Sequence, residues 1–192
     1  MKLPLCVRVD AADERSNGAL AADGWREIET LNVFERVDLP GPPAKPAPNI
    51  VVQIVRPGHD HAALAAEAVS GARESRLWRD SLIETKDALE LGSGWVAECW
   101  LAPSTIRWLG LWCGQPAGFL MIRYAAPVYR IGFFAVRPEF RDQGIGRALL
   151  AAAMAAIDGR LRAGTQHDNA AATRLYLTSG FTIVERWKTW HK

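Results

Sequence analysis

At 192 residues the chain has room for one domain of ordinary core size, or one domain with a small appendage. Its 23 Lys and Arg against 21 Asp and Glu leave a formal charge of +2, which excludes a general field for nucleic acid or other polyanions, so any cationic site must be local. Cys6, Cys99 and Cys113 are odd in number and widely spaced, which argues against a disulfide frame or a metal site and fits reduced structural thiols. No signal pattern opens the chain and no apolar run reaches the roughly 18 residues of a membrane span, so the expectation is a cytoplasmic protein with no membrane partner.

In chain order, residues 5–9 read as a strand, 13–23 as a helix, and 24–34 as a turn into a second strand. Gly24-Trp25 and Ile28-Glu29 match Gly180-Phe181 and Val184-Glu185 near the other end, so a degenerate internal repeat is one reading and coincidence the other. Residues 1–38 thus form a small α/β appendage with a scaffolding role. Residues 39–48 carry five prolines, which can hold neither a helix nor a sheet ladder, and form an extended linker.

The main domain, 49–192, opens with a strand at 50–55. Pro57-Gly58 ends it, and His59-Asp60-His61 precede an alanine-rich helix to about Gly71. Two histidines at a helix start, without a companion cysteine or carboxylate cluster, cap and solvate rather than hold metal. A polar, aromatic stretch at 74–80 leads to a helix from Thr85 to Trp100, expected to break at Gly92-Ser93-Gly94. Strands at 105–112 and 117–124, parted by Cys113–Pro116, and a third at 128–136 make an antiparallel meander. Trp108 and Trp112 share a face if their strand is regular.

The third strand runs into Pro138, a loop that ends Gly144-Ile145-Gly146, and apolar positions 145, 148, 149, 152 and 156 at helical spacing. Strand, loop and helix in that order make an anion site, because the first helical N–H groups have no partner inside the helix. Gly144 and Gly146 let a pyrophosphate approach the backbone, and Arg141 and Arg147 add cationic donors. A dinucleotide fingerprint needs a third glycine where Leu149 stands, and a P-loop needs Gly-Lys-Ser/Thr, which is absent. Beyond this helix, 161–166 reads as a strand. Asp168 or Asn169 caps a short helix in which Leu175 packs inward, and Gly180 closes it before a last strand.

Arg141-x-x-Gly144-x-Gly146, after Ala135-Val136-Arg137-Pro138-Glu139, resembles the acyl-CoA loop of the GNAT N-acetyltransferases. Asn169-x-x-Ala172-x-x-Leu175-Tyr176 followed by Ser179-Gly180-Phe181 resembles that family's second acyl-CoA motif. The resemblance implies an α/β GNAT fold: a mixed central sheet with an antiparallel meander and helices on both faces. It implies acetyl-CoA or a related acyl-CoA as donor, a small primary amine as acceptor, and no metal. It also implies a strand that splays ahead of the loop, so that Phe134, Ala135 and Val136 bind the pantetheine arm with help from Asn169. Arg141, Asp142, Gln143, Gly144, Ile145, Gly146 and Arg147 would hold the phosphates. Tyr176, protonated at neutral pH, can donate to the departing thiolate and is the expected general acid. No acid stands between Ala125 and Val136 to serve as base, which leaves a water relay, His167 or Glu98.

The segments 75–80, 164–176 and Thr189-Trp190-His191-Lys192 are similar to the TDP-fucosamine acetyltransferase group, which implies an amino group on a nucleotide-linked deoxysugar as the acceptor. Arg76, Arg79 and Asp80 could hold a phosphorylated or hydroxylated acceptor, with Trp78 or Trp95 stacking on a ring; alternatively 74–80 is a solvated loop with Trp78 in the core. A protein N-terminus, lysine or polyamine is the rival acceptor, and a non-catalytic acyl-CoA sensor the rival class. The chain is expected to be a monomer or a homodimer.

Overall fold

The computed structural model describes residues 4–37, 46–56 and 75–192; the predicted helix after His59-Asp60-His61 and most of the proline linker lie outside them. Eight strands form one mixed sheet in the order β1-β8-β2-β7-β6-β5-β4-β3. They are β1 (Cys6–Asp10), β2 (Arg26–Arg36), β3 (Ile50–Ile54), β4 (Thr105–Trp112), β5 (Gln115–Ala125), β6 (Val128–Val136), β7 (Leu161–Gln166) and β8 (Thr182–His191). The helices are α1 (Glu14–Ala22), α2 (Arg76–Arg79), α3 (Thr85–Leu101), α4 (Ile145–Ala156) and α5 (Ala170–Thr178). The chain divides into two compact units: one of Met1–Glu35, Arg73–Ala88 and Gly164–Lys192, the other of Arg36–Ala72 and Leu89–Ala163.

In the second unit β3, β4, β5 and β6 pair antiparallel, as the meander pattern predicts. Alternation along β5 sends successive side chains to opposite faces. On one face Phe119 and Met121 meet Val96, Cys99 and Trp100 of α3, with Phe133 and Ala135 alongside. On the other, α4 buries Ile145, Leu149, Leu150, Ala153 and Met154, a stripe at helical spacing. A buried leucine of this kind contributes about 1.5–3 kcal/mol. Helices therefore cover both faces.

Two local expectations change. Helix α3 runs unbroken through Gly92, Ser93 and Gly94. Two interior glycines cost about 1 kcal/mol each, less than the burial of Val96, Cys99 and Trp100 returns. Its carboxyl end is closed by Arg107, whose buried guanidinium donates to the carbonyls of Trp100, Ala102 and Thr105 and so satisfies groups a helix leaves open. The 74–80 stretch is not wholly loop: residues 76–79 form a helical turn that places Leu77 in the core and leaves Trp78 half-buried.

In the first unit, α1 and α5 carry the same cap geometry. Asp13 accepts from Ser16 N–H and Asn169 from Ala172 N–H. Trp25 N–H closes on Leu20 and Phe181 N–H on Tyr176. Each pair of counterparts is 156 positions apart, and Leu31 lies opposite Trp187, 156 further on, in the antiparallel β2·β8 ladder. The flanking pairs, Thr30 with Lys188 and Asn32 with Arg186, are each other's counterparts under the same offset. So do Ala11 N–H to Arg186 O and His167 N–H to Thr30 O, both 2.9 Å.

Candidate active site

The loop after β6 is a folded structure, not a flexible tether. Pro138–Phe140 make a 3-10 turn, with Phe140 N–H on Arg137 O and Arg141 N–H on Pro138 O. Arg137 N–H donates to Ala117 O, its guanidinium reaches Pro116 O at 3.2 Å and Glu139 at 2.6 Å, and its ring neighbour is Phe140. Gly144 sits at φ 84, the left-handed region that glycine enters without steric cost, and caps α4. The first bond into the helix is Ala148 N–H to Gly144 O at 3.0 Å. The amides of Ile145, Gly146 and Arg147 ahead of it have no carbonyl within the helix. Arg141, Asp142, Gln143, Gly144 and Arg147 are exposed around these amides, and Arg141 Nε lies 3.4 Å from Val136 O. Backbone donors, the positive end of a helix and two guanidinium groups are a donor set for phosphate.

Strand β6 leads to this loop with one edge open. Its parallel ladder with β7 holds two pairs, Tyr129 with Leu161 and Arg130 with Arg162, and then ends. Residues 131–136 stay paired to β5 on the other edge, so the backbone of Phe134, Ala135 and Val136 presents a strand edge towards the splay. Two glycines that sequence reasoning passed over shape it. Gly132 is the extra residue of a bulge between Met121 and Ile122, and a Cβ there would lie 2.8 Å from Cys99 Sγ. A Cβ on Gly118 would lie 2.7 Å from Ala135 O. The available signal was a lone glycine inside each strand pattern.

The remaining candidates belong to the first unit. Asn169, rather than Asp168, caps α5; its Oδ1 is taken by Ala172 N–H, which leaves the amide nitrogen as its donor end. The inward residue of that helix is Tyr176, 4% exposed, whereas Leu175 is half-buried. Tyr176 packs between Phe34 and Phe181, with ring centroids 5.2 and 5.4 Å away, and burial raises its pKa well above the ordinary phenol value. It is therefore firmly protonated at neutral pH. Arg79 grips both oxygens of Asp168 at 2.8 Å, which holds the Asp168 carboxyl below its usual range. Arg76 lies 3.1 Å from Cys6 Sγ. The structure thus brings Arg76 and Arg79 to protein partners, with Arg79 beside the turn that starts α5. His167 is exposed and its backbone N–H bonds Thr30 O. Burial raises the Cys99 thiol pKa, so a thiolate nucleophile is not on offer there. Among the described residues no group of three or more His, Cys, Asp or Glu could hold a metal, and no helix is long and apolar enough to cross a membrane.

Comparisons with known proteins bear on the fold. The fold is similar to that of a GCN5-related N-acetyltransferase from Sphaerobacter thermophilus, with TM-score 0.68 and 19% identity over 98% of this chain and 60% of that one. It is similar to a functionally unknown conserved protein from Staphylococcus epidermidis, with TM-score 0.68 and 17% identity over 96% of this chain and 69% of the other. It is also similar to a tandem GNAT protein from the clavulanic acid biosynthesis pathway, with TM-score 0.62 and 15% identity over 98% and 63% of the two chains. The chain spans about three-fifths of the length of the first and third of these structures. No curated protein matches. The profile of the Acetyltransferase (GNAT) family matches residues 73–181, more than half of the chain and both glycine-bearing motifs, and the chain belongs to that family.

Proposed function

We propose that this protein transfers an acyl group from acetyl-CoA directly to a primary amine, and that the amine is carried by a nucleotide-linked deoxysugar. The observation that carries the acyl-CoA part is the open edge of β6 running into the Gly144 cap, with the amides of Ile145, Gly146 and Arg147 and the guanidinium groups of Arg141 and Arg147 at its end. These groups fit a diphosphate joined to an amide-bearing arm: Phe134, Ala135 and Val136 offer strand-like backbone bonds, Asp142 and Gln143 complete the loop, and Asn169 adds its amide donor. Acetyl-CoA supplies the thioester. Tyr176 supplies a neutral hydroxyl that donates to the sulfur as the thiolate leaves.

The sugar-nucleotide acceptor is supported by the segments that resemble the TDP-fucosamine acetyltransferase group, and by the link between two of them through Asp80 and His191. Arg76, Trp78 and Arg79 lie in the first of those segments. We read residues 1–35 as a degenerate copy of the β7–α5–β8 segment, with Leu20 in the place of Tyr176 and hence without an acid of its own. The test is thiol release from acetyl-CoA across amino-dideoxysugar nucleotides, polyamines and short peptides. Turnover with a sugar nucleotide is expected. Turnover with peptides or polyamines alone would replace the acceptor, and tight acetyl-CoA binding without turnover on any amine would favour a sensor.

A further inference from the structure

On β5, Phe119 and Met121 face α3, so Arg123, two positions on, faces it too. Its Cδ lies 3.9 Å from where a Cβ on Gly132 would stand, beside Cys99 Sγ. Arg130 of β6 is directly opposite Arg123, and Arg162 of β7 is directly opposite Arg130. Residues opposite one another share a face, so three arginines form a row across three neighbouring strands. No Asp or Glu occurs from Thr105 to Val136. Arg123 and Arg130 are exposed, and neither makes an ion pair or a side-chain hydrogen bond among the described residues. Arg162 is half-buried and held by an interaction of its own. A guanidinium stays charged throughout the physiological pH range. Like charges set opposite one another destabilise a sheet, and nothing among the described residues offsets these two.

The row stands where two substrates would meet. Arg130 and Arg162 are the last pair of the β6·β7 ladder, and the open edge of β6 begins just beyond them. Six residues of strand separate Arg130 from Val136, about 20 Å at about 3.3 Å per residue, so the row is out of reach of a diphosphate held at the Gly144 cap. We propose that Arg123 and Arg130, flanked by Arg162, bind the diphosphate of the acceptor. Two adjacent unclaimed cations call for a ligand with at least two negative charges, and the guanidinium fork matches phosphate oxygens. A single carboxylate would leave one arginine unmatched. Held there by its diphosphate, the acceptor directs its amino sugar along the open edge, towards a thioester that arrives from the loop. This inference rests on the acyltransferase reading above and names the groups that hold its substrate, since Arg79 is already engaged with Asp168.

Calorimetry on the full chain tests it, with thymidine diphosphate, thymidine and malonate as probes and saturating coenzyme A to fill the donor loop. Thymidine diphosphate should bind, and thymidine and malonate should bind at least about tenfold more weakly. Arg123→Gln and Arg130→Gln should each weaken thymidine diphosphate about tenfold or more, the loss of a charged hydrogen bond. Coenzyme A affinity should hold, and the melting temperature should stay level or rise as the repulsion is relieved. In thiol release the acceptor KM should climb by the same factor with kcat nearly unchanged. Unaltered diphosphate binding in both variants, its displacement by coenzyme A, or equally tight malonate would overturn the proposal. A lowered melting temperature with proportionate loss of both ligands would mean that the arginines are structural and would sink it too. Failure of coenzyme A to bind, or absence of turnover on every amine, would fail the acyltransferase reading, and the diphosphate titrations of wild type and variants would still decide this one.

Discussion

Gly132→Ala isolates the contact that shapes the strand leading to the donor loop. The added methyl would lie 2.8 Å from Cys99 Sγ, against roughly 3.5–4.0 Å for an ordinary non-bonded contact. The sulfur has little room to retreat, since Cys99 is packed among Val96, Trp100, Phe119 and Met121. Overpacking of this kind costs about 1–3 kcal/mol. In a Cys99→Ala background the obstacle is gone: the next atoms are Met121 O at 3.8 Å and Arg123 Cδ at 3.9 Å, both ordinary contacts. There the same substitution should be neutral, or stabilise by about 0.4–1 kcal/mol through the stiffer unfolded chain. The double-mutant cycle should thus show about 2 kcal/mol of coupling, read by urea denaturation at constant m. Acetyl-CoA affinity should fall in Gly132→Ala and recover in the double variant, because the bulge directs β6 towards the loop. Additivity within about 0.5 kcal/mol would refute the steric account.

Gly146→Glu should abolish acetyl-CoA binding by bulk and charge while leaving the melting temperature nearly unchanged; binding by calorimetry at wild-type strength would remove the loop from the donor site. Tyr176→Phe keeps the packing against Phe34 and Phe181, so acetyl-CoA affinity should hold while kcat falls about 10²- to 10⁴-fold, measured by thiol release; an unchanged kcat would exclude Tyr176 as acid. Asp80 has a folded pKa below its unfolded value, so its contribution to stability is complete above about pH 4 and is lost as pH falls through the folded pKa. Urea titrations from pH 6 to 2.5 should therefore show a shallower acid decline in Asp80→Asn than in the wild type, and parallel curves would count against the ionised pair.

Much of the second unit was legible because its signals are local. The meander, the Pro138 stop, the Gly144 cap and the α4 stripe each depend on residues within a few positions of one another. Helix α3 was misread at Gly92 and Gly94 because propensity is local, whereas the burial of Val96, Cys99 and Trp100 that overrides it comes from distant strands. Leu175 was expected inward and Tyr176 is, a shift of one position that decides which side chain is desolvated. The two-pair ladder between β6 and β7 has no signature in composition; it was expected from resemblance alone. Asp80 and His191 stand 111 positions apart. Both lie in segments that the sequence singles out, but no pattern in either says that they meet.

The splay beside β6 has a consequence for how such a chain can change over generations. A slot edged by main-chain amides offers the same hydrogen bonds whatever side chains occupy Phe134, Ala135 and Val136, and no single substitution deletes an N–H unless it introduces proline. On the proposed reading, recognition of the donor would in this sense be written in covalent structure common to all residues, and insulated from drift. On the proposed reading, recognition of the acceptor would rest instead on individual side chains such as Arg76, Trp78 and Arg79, each open to replacement. A lineage built on this plan keeps its donor and trades its acceptors.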